Sequence, residues 1–162
     1  MDRLWAPWRT EYISKVHSTK GCIFCSKPKQ KDDKKSRIIE RTSHSFSILN
    51  IYPYNNGHIM VVPFRHVDSL AKLSEEELID LMGLLNRTQD LLSKVLKPDG
   101  FNIGINMGRA AGAGVKGHIH IHVVPRWVGD VNFMPAFTST KVISQSLDSL
   151  YKLMKKCSRG KR

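Results

Sequence analysis

"GHIHIHVVPRW" (residues 117–127) puts a histidine at every second position and fills the places between with isoleucine and valine. Side chains of a β-strand alternate between its two faces, with a rise of about 3.3 Å per residue. His118, His120 and His122 therefore share one face, and Ile119, Ile121 and Val123 share the other. The aliphatic face belongs on a core, so the imidazole face looks into a cleft. Two chemistries suit three imidazoles there. A His-x-His strand can place two ligands on one zinc ion. A ring nitrogen can instead act as a nucleophile, because imidazole, with an unperturbed pKa of about 6.5, is largely neutral at neutral pH. Attack on phosphorus would give a phosphoramidate that a second nucleophile cleaves. The middle histidine has a helper on either side.

Just upstream, "NMGRAAGAGVKG" (106–117) carries Gly108, Gly112, Gly114 and Gly117. It is no Walker A loop, since it lacks GK[ST] and leads into a strand. It does suit backbone N–H groups wrapped around phosphate oxygens, because glycine lets the backbone approach closely.

Working outward, "RIIER" (37–41), "HSFSILN" (44–50), "GHIMVVP" (57–63) and "FNIGINM" (101–107) read as four further strands, rich in branched residues and bounded by turn signals. Ser74 with Glu77 forms a capping box. It opens a helix in which Leu78, Leu81, Met82, Leu85, Leu92, Val95 and Leu96 recur at helical spacing, ended by "KPDG" (97–100). Thr140 is placed to cap a last helix with Ile143, Leu147, Leu150 and Met154 on one face. The segment 26–36 reads as a loop. The pattern predicts an α+β fold with a mainly antiparallel sheet of about five strands, one long helix and a C-terminal helix.

The 162 residues fit one domain, read as an N-terminal arm (1–20), a core (21–130) and a C-terminal extension (131–162). A chain of this size can bury a core without disulfide staples. No apolar run approaches the roughly 20 residues that span a bilayer. "MDRLWAPWRTEY" has no signal-peptide h-region, so a cytoplasmic location is expected. Cys22 and Cys25 form "CIFC", which in a cytosolic protein reads as a metal or redox pair. The formal net charge of +12 is concentrated in two stretches, Lys27–Arg37 and Lys155–Arg162. Such a field draws polyanions such as nucleotides or nucleic acid.

"HIHIHVV", with "SILN" (47–50), "NGHIMVVPFRHV" (56–67), "NMG" (106–108) and the glycine loop, resembles the HIT (histidine triad) superfamily of nucleotidyl hydrolases and transferases. The likeness spans roughly residues 20–130. The flanks "LWAPWR" (4–9) with Tyr12, and "PRWVGDVNFMP" (125–135), look like the branch of diadenosine tetraphosphate phosphorylases and related hydrolases.

The resemblance implies roles. His120 would attack the α-phosphorus and carry the nucleotidyl group, its other nitrogen donating to a backbone carbonyl. His122 would contact phosphate and act as general acid, and His58 would support the nucleophile from beneath. Asn106, Gly112, Gly114 and Val115 would hold the phosphates; Gly114 falls where many members have Gln or Ser, so backbone contacts replace that side chain. Asn50 would meet ribose, with Phe46 and Ile48 near the base. His66 and His118 would complete a structural zinc site with Cys22 and Cys25, leaving His120 and His122 for chemistry. Strict alternation then requires His118 to turn its ring away at the strand's end.

The implied activity is cleavage of a dinucleoside polyphosphate such as diadenosine tetraphosphate, with water or phosphate as acceptor. Histidine at 122 leans towards hydrolysis and the flanks towards phosphorolysis. A homodimer is the expected assembly. Rival readings are a phosphoramidate hydrolase of the same fold, a zinc-dependent hydrolase, and a nucleotide- or nucleic-acid-binding protein with an idle triad. A magnesium-dependent route lacks a carboxylate cluster.

Overall fold

The computed structural model describes residues 21–108, 110–115, 117–130 and 143–159. The expected features at 4–12, 131–135 and Thr140 lie outside the described residues. Five strands form one antiparallel sheet: β1 (Ile38–Arg41), β2 (Ser45–Leu49), β3 (Ile59–Pro63), β4 (Gly100–Ile105) and β5 (Ile121–Arg126), in the order β1-β2-β3-β5-β4. The α+β fold read from the sequence is the fold observed.

Alternation sorts the sheet into two cores. On one face Ile39, Leu49, Ile59, Val61, Ile119, Ile121 and Val123 are buried against two helices. The first is the 22-residue α3 (Glu75–Leu96), and the second is α4 (Leu147–Arg159). Helix α3 opens on the predicted capping box: the Ser74 hydroxyl accepts from Glu77 N–H while the Glu77 carboxylate accepts from Ser74 N–H. Its buried stripe differs from the predicted one. Met82 is half exposed, and Leu84, Thr88 and Leu91 are buried instead. The reason is a rotation of the helix that puts the 84–88–91 ridge on the sheet. Helix α4 begins at Leu147, so Ile143 precedes it, and Leu150, Tyr151 and Met154 anchor it to the core.

The second face holds a smaller cluster of Ile38, Phe46, Ile48, Met60, Val62 and Phe24. Phe24 arrives on α1 (Ile23–Ser26), a single turn between Cys22 and Lys27. The segment 26–36, expected as a loop, is in fact built of turns: a 3-10 turn (Lys27–Lys29) and α2 (Asp33–Ser36) follow α1. Asp32 caps α2 by accepting from Lys35 N–H at 3.0 Å, a local bond that favours a helical turn over irregular chain. These turns lay a lid over the second face.

Candidate active site and metal centre

The histidine segment is less regular than its alternation suggests. β5 begins at Ile121, so only His122 lies in the paired strand, with Met60 as its neighbour. His118 and His120 precede it, where the chain leaves β3 and Ile119 N–H donates to Val67 O at 2.7 Å. Alternation of the aliphatic residues survives, and Ile119, Ile121 and Val123 stay in the first core. Departure from the ladder frees His118 to turn towards Cys22.

Hydrogen bonds to groups of fixed polarity settle the ring protonation. His120 Nδ1 lies 2.9 Å from His118 O. A carbonyl only accepts, so Nδ1 carries the proton and Nε2 keeps its lone pair. His58 Nδ1 receives Tyr54 N–H at 3.0 Å, so the neutral His58 ring carries its proton on Nε2. That nitrogen donates to His122 Nδ1 at 2.9 Å, which leaves the His122 proton on Nε2. The two adjacent rings thus offer opposite faces of chemistry, His120 a nucleophilic lone pair and His122 an N–H. Their centroids are 4.8 Å apart at 70°.

Burial favours the neutral forms of His120 and His122. Desolvation lowers the pKa of His120, against the hydrogen bond to His118 O that raises it. His122 is lowered to about 4, first by desolvation and then by His120. His58 thus meets His122, the outer ring of the triad. Beneath His120 lies Phe24, with ring centroids 4.9 Å apart. Tyr54 covers the other end, 4.7 Å from His58 and 5.6 Å from His122.

Asn50 sits at the end of β2, its side chain 3.2 Å from His58 Nδ1 and its Oδ1 accepting Tyr52 N–H at 2.9 Å. Asn106 lies one step beyond the paired Ile105 and Ile121. Val115 packs on the second core, and Gly112 and Gly114 lie in the loop just before it. Phe46 and Ile48 are wholly buried in that core, Phe46 stacked on Phe64 at 5.3 Å. Three contributors were missed in the sequence: Phe24, Tyr54 and the carbonyl of Pro63. Phe24 stands inside "CIFC", which was read for its cysteines alone; a backbone carbonyl leaves no sequence signal.

Cys22, Cys25, His66 and His118 converge, one donor atom from each, all within 4.8 Å of one another. His118 Nε2 donates to Pro63 O at 2.9 Å, which aims its Nδ1 at Cys22 Sγ (3.3 Å) and Cys25 Sγ (3.6 Å). His66 Nδ1 stands 3.3 Å from Cys25 Sγ. Tetrahedral zinc with Zn–S near 2.3 Å and Zn–N near 2.0–2.1 Å needs donors roughly 3.3–3.8 Å apart; the three Cys–His pairs at 3.3–3.6 Å meet this, and the set, spread over at most 4.8 Å, fits the ion once drawn in around it. Gly117, at φ +71°, allows this closeness; a Cβ there would stand 3.3 Å from His66 Nε2. Burial raises the Cys25 thiol, with Cys22 beside it adding to the shift.

With this geometry in view, the comparisons have a physical counterpart. The family model "HIT domain" matches residues 31–128, and the chain belongs to that family of histidine-triad proteins. An AP-4-A phosphorylase of Mycobacterium tuberculosis is 35% identical over 161 residues, covering 95% of this chain and 83% of its own. The asymmetrical bis(5'-nucleosyl)-tetraphosphatase of Schizosaccharomyces pombe is 37% identical over 59% of this chain and 52% of its own. The crystal structure of Plasmodium falciparum diadenosine triphosphate hydrolase in complex with cyclomarin A superposes with a TM-score of 0.65 at 25% identity, over 80% of each chain. These relatives support a nucleotide-handling enzyme of the HIT family. Among the described residues no helix is long and apolar enough to cross a membrane.

Proposed function

We propose that the chain cleaves dinucleoside polyphosphates, diadenosine tetraphosphate in particular, at the α-phosphorus through a nucleotidyl group carried on His120. The observation that carries this reading is the paired protonation state: a lone pair on His120 Nε2 beside an N–H on His122 Nε2. His120 Nε2 bonds to the α-phosphorus as the bond to the bridging oxygen breaks, releasing ATP and leaving AMP on the ring. His122, neutral at neutral pH, assists the departing oxygen chiefly by donating a hydrogen bond; burial disfavours the cationic form that a strong general acid would need. Water on the intermediate gives AMP, and inorganic phosphate gives ADP. Asn106 and the backbone around Gly112, Gly114 and Val115 hold phosphates in this reading, Asn50 the ribose, and Phe46 and Ile48 underlie the base.

Zinc is the metal we assign to Cys22, Cys25, His66 and His118. It would act structurally, pinning α1 to the nucleophile's segment, and every donor there is a residue of this chain. A two-fold dimer across β4 is favoured by that strand's place at the edge of the sheet among the described residues and by exposed Ile103 and Met107. The three free cysteines suit the cytoplasm.

Product analysis with diadenosine tetraphosphate, with and without phosphate, tests the reading on wild type and His120→Ala. ADP with ATP only when phosphate is present marks a phosphorylase; AMP with ATP in its absence marks a hydrolase. Turnover that survives loss of His120 refutes the covalent route. Metal removal that abolishes turnover while leaving the fold intact, with no His120 adduct formed by the metal-loaded protein, would favour the zinc-hydrolase rival.

A further inference from the structure

The two basic stretches of the sequence, unused by the triad, meet in the structure. Lys31 just before α2 and Lys34 within it, and Lys152 and Lys156 on α4, form opposite walls of a groove of about 790 Å³. Lys152 and Lys156 are one turn apart on the same flank of α4, away from the buried Leu150 and Met154. The groove shares no residue with the histidine site.

Its charge is only partly offset from within: five lysines line it against two carboxylates. Asp32 caps α2 and keeps its charge, and Asp33 pairs with Arg41 at 2.7 Å and lies 4.0 Å from Lys155. Lys155 is committed to the fold, donating to Ile39 O at 2.7 Å. Among the described residues no carboxylate forms an ion pair with Lys31, Lys34, Lys152 or Lys156.

The walls carry lysines, flexible point charges that suit a run of phosphates better than one phosphate held bidentately. Tyr151 is 6% exposed and donates to Ile38 O, so it offers no ring for a base to stack on. Sequence-independent contact with a backbone follows from that combination. The site is concave, and among the described residues none of the exposed large apolar side chains lines it, which argues against a membrane surface.

We propose that this groove docks the phosphodiester backbone of nucleic acid without regard to sequence, separately from nucleotidyl chemistry. Fluorescence anisotropy of the full chain with two unrelated 20-nucleotide oligomers, single-stranded and duplex, across 25–200 mM salt tests it. Both sequences should bind alike. Lys152→Gln/Lys156→Gln should flatten the slope of log K against log salt by about 1.8 on duplex, at roughly 0.9 per lost phosphate contact. Lys31→Gln/Lys34→Gln should do the same, whereas Lys94→Gln/Lys97→Gln, an equal charge change on exposed lysines elsewhere, should leave the slope near wild type. Equal effects of all three pairs, oligomers that fail to bind at 25 mM salt, or binding of long-chain polyphosphate or anionic vesicles alone would overturn the proposal. Nucleotide turnover serves as a fold control and should be unchanged in each variant.

Discussion

Acidification from pH 7 to pH 4 should destabilise this protein through His122, by an amount the structure sets. In the unfolded chain the ring has the ordinary value of 6.5; in the fold, desolvation lowers it to about 4. A group whose folded pKa is depressed binds its proton more readily when unfolded, so stability falls as pH drops through 6.5 and stops falling below about 4. At about 1.36 kcal/mol per unit, the shift is worth on the order of 3 kcal/mol. That is a large part of the margin of an ordinary domain.

The assay is urea unfolding at half-unit pH steps, for wild type and His122→Gln, with the difference curve cancelling the titrating groups that do not touch His122. The difference should be flat above pH 7 and should swing by roughly 3 kcal/mol by pH 4. Nitrogen-15 spectra of the histidines give the independent check: His122 should stay neutral with its proton on Nε2 down to about pH 5. His58→Leu, which removes the donor to His122 Nδ1, should release that tautomer. Titration of His122 near 6.5, or parallel acid losses in the two proteins, would refute the buried neutral array and the roles derived from it.

Phe24→Ala should cost about 3–5 kcal/mol, the usual range for emptying a buried phenyl site, since Phe24 is 1% exposed. It should also slow turnover more than it weakens substrate binding, measured as kcat against KM, because the ring that backs His120 is gone. Elemental analysis of the purified protein should find one zinc per chain, and Cys25→Ser should lose it together with several degrees of Tm. In Glu77→Gln the acid limb should flatten: the Arg65 hydrogen bond, then the Ser74 N–H, hold the Glu77 carboxylate at about 2 instead of 4.5. The stability it contributes is complete above 4.5 and lost as pH falls towards 2, so thermal melts over that window should separate the two proteins.

What the sequence by itself determined is whatever repeats with a fixed period or rests on neighbours in the chain. Strand alternation identified the two faces of the sheet; the capping box marked the start of α3; and "HIHIHVV" pointed to the family and the residues at its centre. Met82 was assigned to the wrong side of α3 because a helix's rotation on a sheet depends on ridges of both surfaces, which periodicity in one element cannot report. Thr140 and the N-terminal flank remain expectations of the sequence.

The tertiary structure alone decided the chemistry of the rings. Nothing in the spacing of His118, His120 and His122 says which nitrogen bears a proton; that follows from carbonyls of His118 and Pro63 and from Tyr54 N–H, brought in by chain folding. It likewise decided that His58 meets His122, that Phe24 packs on His120, and that lysines about 120 residues apart face one another across a groove. Those relations are between distant segments, and protonation answers to the nearest fixed dipole and to lost water rather than to the order of residues along the chain.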